Sequence, residues 1–160
     1  MKGFGEKKKT NQQKNIRNDN KIIKEQIINK AFTLHSQGNI SEATKYYQSF
    51  IKQGFKDFRV FSNYGFILLG LGRLKEAEFS YRKAIELKPD FAEAYLNLGN
   101  ILQDIGNLKE SELSLREAIE LKPDYAEAHL NLGNLLNNIG KLKEAEFSYR
   151  KAIELKSDFS

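Results

Sequence analysis

The chain has 160 residues, 40% hydrophobic and 29% charged, with two prolines, no cysteine and a formal net charge of +5. That length suits one ordinary domain or one short repeat array, and the absence of cysteine excludes a disulfide framework and any thiolate metal site. No apolar run approaches the length of a membrane span, and the positive start "MKGFGEKKKTNQQKNIRNDN" lacks the apolar core of a secretory signal, so the default location is cytoplasmic.

Residues 1–23 come first in the chain. They hold seven Lys/Arg against Glu6 and Asp19, which accounts for the whole excess charge, and residues 24–160 are neutral. A basic, Lys/Asn/Gln-rich stretch with little apolar content cannot bury a core and is expected to be a disordered tail. Weak attraction to polyanions or a membrane surface would then belong to the tail alone, and no DNA partner is expected. "GFGEKKKT" superficially resembles a phosphate loop, but Lys8 stands where the required glycine should be and no strand precedes it.

From residue 24 onward the chain repeats. "LKEAEFSYRKAIELK" occurs at Leu74–Lys88 and again at Leu142–Lys156, and the related "LKESELSLREAIELK" starts halfway between, at Leu108, which gives a period of 34. Pro89 and Pro123 follow the same period, as do Gly72, Gly106 and Gly140. Each unit reads as a helix, a turn at glycine, a second helix and a closing turn. The units are 58–91, 92–125 and 126–159, with a divergent unit at 24–57 that keeps Gly38, Glu42, Ala43 and Tyr47 at the proper offsets. Asp90-Phe-Ala-Glu93 and Asp124-Tyr-Ala-Glu127 have the spacing of capping boxes ahead of the first helices. In the second helix, Leu74, Ala77, Phe79, Tyr81, Ala84, Ile85 and Leu87 are expected to supply mostly buried scaffold.

These residues resemble the tetratricopeptide repeat family. Phe61-x2-Tyr64-Gly65-x2-Leu68, Ala77-x3-Tyr81 and Pro89 follow its pattern, and Tyr95, Leu98, Gly99, Leu102, Ala118 and Pro123 continue it. The last unit has His129, Leu132, Gly133, Leu136, Ala145 and Tyr149, with Ser157 where proline belongs. The resemblance implies an all-α, right-handed superhelical array of about four helix-turn-helix units that binds proteins or peptides. "AEAYLNLGNIL" and "AEAHLNLGNLL" further resemble the repeats that precede the catalytic domain of O-linked N-acetylglucosamine transferases.

No catalytic constellation is visible, and no cofactor or metal is implied. His35 and His129 are the only histidines, and neither has a second histidine at i+3 or i+4. The informative residues are on the first helices. Unit positions 4, 7, 8 and 11 form an apolar stripe, and positions 2, 6, 9 and 13 point nearly opposite. Position 6 is Asn29, Asn63, Asn97 and Asn131, and position 9 adds Asn100 and Asn134. Asparagine is a mediocre helix former, yet its amide both accepts and donates and so matches a peptide unit. The six asparagines are the candidate peptide-binding residues, and the function expected is a protein-interaction scaffold. Two alternatives stay open: the targeting module of a larger glycosyltransferase or sulfotransferase, and an RNA- or membrane-surface accessory protein acting through its basic tail. The stop at "KSDFS" suggests that the apolar face of the last unit is covered in a longer parent chain or pairs with a second copy.

Overall fold

The computed structural model describes residues 4–157, with side chains from residue 18 onward, and contains eight helices among them. The chain divides into two compact units, Met1–Lys56 and Asp57–Ser160.

The first unit is one helix pair, α1 (Phe4–Ser36) and α2 (Ile40–Lys52). Ile28, Ala31 and Leu34 of α1 pack on Ala43, Tyr47 and Phe50 of α2, and this small core is where the pair is held. The expected boundary at residue 24 is not a helix boundary. The backbone is helical from Phe4, and residues 18–23, read as tail, continue into α1 with every side chain exposed. Asn18, Asp19 and Asn20 are mediocre helix formers, so their helical backbone is propagated from the packed part of α1, where adding a residue needs no new nucleus. The rest of the tail, residues 1–3 and the side chains of 4–17, lies outside the described residues.

The second unit holds three helix pairs: α3 (Phe58–Gly70) with α4 (Leu74–Leu87), α5 (Ala92–Asp104) with α6 (Leu108–Leu121), and α7 (Ala126–Asn138) with α8 (Leu142–Ser157). Each second helix also packs on the next first helix, α4 on α5 and α6 on α7, so the core is continuous. Leu96, Leu115, Ala118, Ala128, Leu132 and Leu136 belong to one buried cluster drawn from successive pairs. Stacking is what buries the second flank of each helix, as a single pair could not.

The turn inside each pair is set by glycine. At the end of α5, Gly106 has φ +81, the Gly106 N–H donates to the Gln103 carbonyl (3.0 Å) and the Asn107 N–H to the Leu102 carbonyl (2.8 Å). That is the Schellman arrangement, which needs a left-handed residue after the helix. The turns after α4 and α6 differ, and proline sets them. Helices α4 and α6 stop at Leu87 and Leu121, two residues before Pro89 and Pro123, whereas α8, with Ser157 at that place, runs on to Ser157.

Two expectations fail locally. The capping boxes do not form: α5 and α7 begin after Phe91 and Tyr125, with no side-chain cap. Asp90 sits one residue too early and pairs with Lys88 at 2.8 Å instead. Phe79 is not scaffold. It is 58% exposed, and its equivalents Leu113 and Phe147 are 62% and 63% exposed, because they lie on the flank of the second helix opposite Ala77, Tyr81 and Ala84.

The first and second helices of a pair meet at glycine. A Cβ on Gly99 would lie 2.7 Å from Leu115 Cγ and 2.9 Å from its Cδ2. Alanine would gain about 1 kcal/mol in helix propensity, but overpacking a buried contact costs about 1–3 kcal/mol. Urea unfolding of Gly99→Ala should therefore show a net loss of up to about 2 kcal/mol, and Gly99→Leu should fail to fold cooperatively. A raised midpoint for the alanine variant would mean that Leu115 moves aside freely.

Ion pairs tie successive second helices together. Arg82 joins Glu110 at 2.7 Å, Arg116 joins Glu144 at 2.6 Å, and Lys141 joins Glu112 at 2.9 Å. The Lys141 hydrogen bond, followed by that of Arg116, holds the Glu112 carboxyl below its ordinary range against the opposing effect of burial. A carboxyl with a depressed folded value stabilises above its unfolded value, and the benefit disappears as pH falls through the folded one. Stability should therefore be lost as the pH falls below the usual glutamate range. Thermal melts of Glu112→Gln should show lower stability at neutral pH and a shallower acid slope.

Candidate functional site

Burying Gly99 and Leu102 against α6 turns the opposite side of α5 outward. Glu93, Asn97, Asn100 and Asp104 fall there at i, i+4, i+7 and i+11, and Glu127, Asn131, Asn134 and Asn138 repeat the pattern on α7. These eight side chains are exposed or half-buried, as the helical periodicity requires. On α3 the same face carries Arg59, Asn63, Phe66 and Gly70, with Phe66 61% exposed. Asn29 is exposed on α1, in the other unit.

Helices α5 and α7 touch one another, and the asparagines meet across that contact. Asn131 donates Nδ2–H to Asn100 Oδ1 at 2.9 Å. Asn97 donates to the Glu93 carbonyl of its own helix at 2.9 Å. Asn134 Oδ1 accepts from the Tyr149 hydroxyl at 3.0 Å. Asn100, Gln103, Asp104, Asn131 and Asn134 line a shallow cleft of about 210 Å³. The sequence predicted a row of amides, one per repeat, and the structure couples two of them, Asn131 and Asn100, across repeats. The four amides of Asn97, Asn100, Asn131 and Asn134 each have one end engaged within the protein.

A larger groove of about 560 Å³ lies elsewhere, lined by Arg82, Ile85, Tyr95, Leu98, Leu113 and Glu117 among others. Its size does not make it the better site. Leu98 in its wall is buried scaffold, Leu113 is exposed, and the Arg82–Glu110 ion pair lies along it. Both histidines have structural hydrogen bonds. His129 is buried and donates Nε2–H to the Pro123 carbonyl at 2.9 Å, and His35 Nδ1 is bonded to the Tyr47 hydroxyl at 3.0 Å. Among the described residues no group of His, Asp and Glu is spaced to hold a metal ion.

The tyrosine at unit position 24 links the scaffold to this face, which the sequence did not reveal. Tyr149 and Tyr47 each have a partner on a first helix, Asn134 and His35. Tyr81, identical in its local sequence to Tyr149, has none. Its hydroxyl is buried and unpartnered, because Phe66 stands where Asn134 stands two units later. Burial, with the Glu93 charge adding to it, pushes this phenol well above the usual tyrosine range. An unpaired buried hydroxyl costs about 1–3 kcal/mol. Tyr81→Phe should therefore leave stability unchanged or raise it by about 1 kcal/mol, whereas Tyr149→Phe should lower it by about 0.5–1 kcal/mol. Paired chemical denaturation curves check this, and an equal loss in both variants would show that Tyr81 is satisfied.

Family matches cover residues 65–106 and 99–140, described as TPR repeat, and 126–159, described as tetratricopeptide repeat. No curated protein matches the sequence. Among solved structures, a crystal structure of MamA superposes with a TM-score of 0.79 at 19% identity, covering 99% of this chain and 97% of that one. MamA residues 41 to the end from Desulfovibrio magneticus RS-1 give 0.76 at 21% identity, covering 84% and 76%. YrrB, described as a TPR protein with an unusual peptide-binding site, gives 0.73 at 23% identity, covering 80% and 66%. At these identities the likeness is one of fold.

Proposed function

The chain belongs to the tetratricopeptide repeat family, and from that membership we propose that it is a protein-interaction scaffold whose first-helix face holds an extended peptide by its backbone. The observation that carries the proposal is the Asn131–Asn100 hydrogen bond across two repeats. It fixes two amides that would otherwise be free to rotate, so less side-chain entropy is lost when a ligand binds. Asn100 keeps its NH2 group for a peptide carbonyl, and Asn131 keeps its carbonyl for a peptide N–H. Asn97, Asn134 and, further along, Asn63 extend the same face on their own helices. The peptide-binding site in the description of YrrB supports the reading. Asn29 has the same register on α1 and is assigned the same role on that ground alone.

Replacing Asn97 and Asn131 by alanine tests the proposal. Alanine is the better helix former by some tenths of a kcal/mol, and the lost Asn131–Asn100 bond is half-exposed, so the melting temperature should change little. Partner affinity should fall by about 1 kcal/mol per hydrogen bond removed. Calorimetric titration of a partner recovered with the intact chain supplies the number. Full affinity in a normally folded double variant would place the ligand elsewhere, and a large fall in melting temperature would make the asparagines structural. Asn29→Ala, measured separately, reports on the first unit.

A further inference from the structure

The proposed peptide grip can be narrowed, and the following rests on it: we propose that the segment held is basic, with Glu93, Asp104 and Glu127 pairing with its lysine or arginine side chains. The ground is a separation of charge between the two kinds of helix. Helices α5 and α7 carry those three carboxylates and no lysine or arginine. The one cation of α3, Arg59, is held by both carboxylate oxygens of Asp57, at 3.0 and 2.9 Å. Lysines and arginines of the three repeats otherwise stand on second helices and in turns, where most glutamates are paired. Glu78 and Glu110 bind Arg82, and Glu112 and Glu144 bind Arg116. Glu93, Asp104 and Glu127 make no ion pair among the described residues.

Their position fits a ligand better than it fits the scaffold. Glu93 and Asp104 bracket Asn97 and Asn100 on one face of α5, and Asp104 lines the amide cleft itself. Glu93 and Glu127 lie in first helical turns, where the helix dipole favours a negative charge. Asp104 has no such excuse. It is the last residue of α5, the end at which the dipole favours a cation, and it has no compensating partner. The fully buried Tyr81 hydroxyl adds a second unsatisfied group. Its copy Tyr149 delivers its hydroxyl to Asn134 on this face, so Tyr81 comes up under the same face in an earlier repeat, with Glu93 as its charged neighbour. A segment bringing positive side chains would meet unpaired carboxylates while its backbone meets amides, and a segment bringing acidic ones would meet only repulsion.

The test uses the full chain and labelled Gly/Ser peptides that differ only in carrying lysine, glutamine or glutamate at the same places. Fluorescence anisotropy should rank lysine first, about tenfold tighter than glutamine, with glutamate weakest. In the Asp104→Asn, Glu127→Gln double variant the ratio of lysine-peptide to glutamine-peptide affinity should fall towards one. The variant's melting temperature should change little, since the charge that Asp104→Asn removes opposes the helix dipole and the one that Glu127→Gln removes is favoured by it. Equal binding of lysine and glutamine peptides, abolished in the Asn97/Asn131 alanine variant, would overturn the basic preference and leave the backbone grip standing. Failure of the intact chain to bind any of the peptides would overturn both. A lysine preference that survives in the double carboxylate variant would overturn the assignment of these residues. A peptide with the sequence of residues 1–17 that outcompetes the lysine peptide would replace the separate partner with a second copy of this chain.

Discussion

The close approach of paired helices at Gly65, Gly99 and Gly133 governs the rest of the second unit. At each of these places a side chain of the second helix, Tyr81, Leu115 or Tyr149, occupies the space next to a missing Cβ. That contact fixes the rotation of the first helix about its own axis. With Gly99 facing α6, Leu102 one turn on is buried as well, while Asn97 and Asn100, about 200° and 100° away around the helix, must turn outward. The asparagine face therefore follows from the glycine contact. In the first unit Ala31 takes the glycine's place and is fully buried against α2, so the same orientation is reached there with one more methyl group between the helices.

Much of the fold was legible because its determinants are local and periodic. A left-handed glycine ends every first helix, and proline ends α4 and α6, so bounds could be read from single letters. The misreadings have a common cause, which is that spacing shows where a residue could act and not which competing partner it takes. Asp90 had the offset of a cap but bonded Lys88. Phe79 had the hydrophobicity of a core residue but lies on a flank that no neighbouring helix covers. Residues 18–23 were read as tail for a different reason: the sequence shows which residues can be buried, but a helix can extend from a packed segment through exposed ones.

The outward asparagines were legible for the same reason as the turns, since a 3.6-residue period assigns a face. Their coupling was not. The Asn100–Asn131 bond joins residues 31 apart in sequence and depends on the stacking of α7 beside α5, which no single repeat encodes. The charge pattern was present in the letters but disappeared on summation. Residues 24–160 are neutral in total, and that total conceals carboxylates without ion pairs on α5 and α7 beside second-helix glutamates that are mostly paired, Glu117 and Glu120 of α6 excepted. Net charge describes a whole array poorly when its two layers of helices have different surroundings.

The repeated second helix shows how such an array can change its ligand without changing its scaffold. Every residue of α4 recurs letter for letter in α8, so any difference in their environments comes from the helices they pack against. Tyr149 finds an amide on α7, and Tyr81 finds Phe66 on α3. The phenol of the copied scaffold has lost its partner, and the cost of a buried hydroxyl is borne by a residue that could have been phenylalanine at no loss of packing. In the middle unit the opposite change has occurred: Leu115 replaces the tyrosine, and Asn100 is free to accept from Asn131 instead of a phenol. Thus the residue at unit position 9 and the one at position 24 jointly decide whether an amide is turned toward its own scaffold or toward its neighbour on the surface. Selection for what the first-helix face holds can act on that pair, while the glycine contact and the turns keep every helix in place.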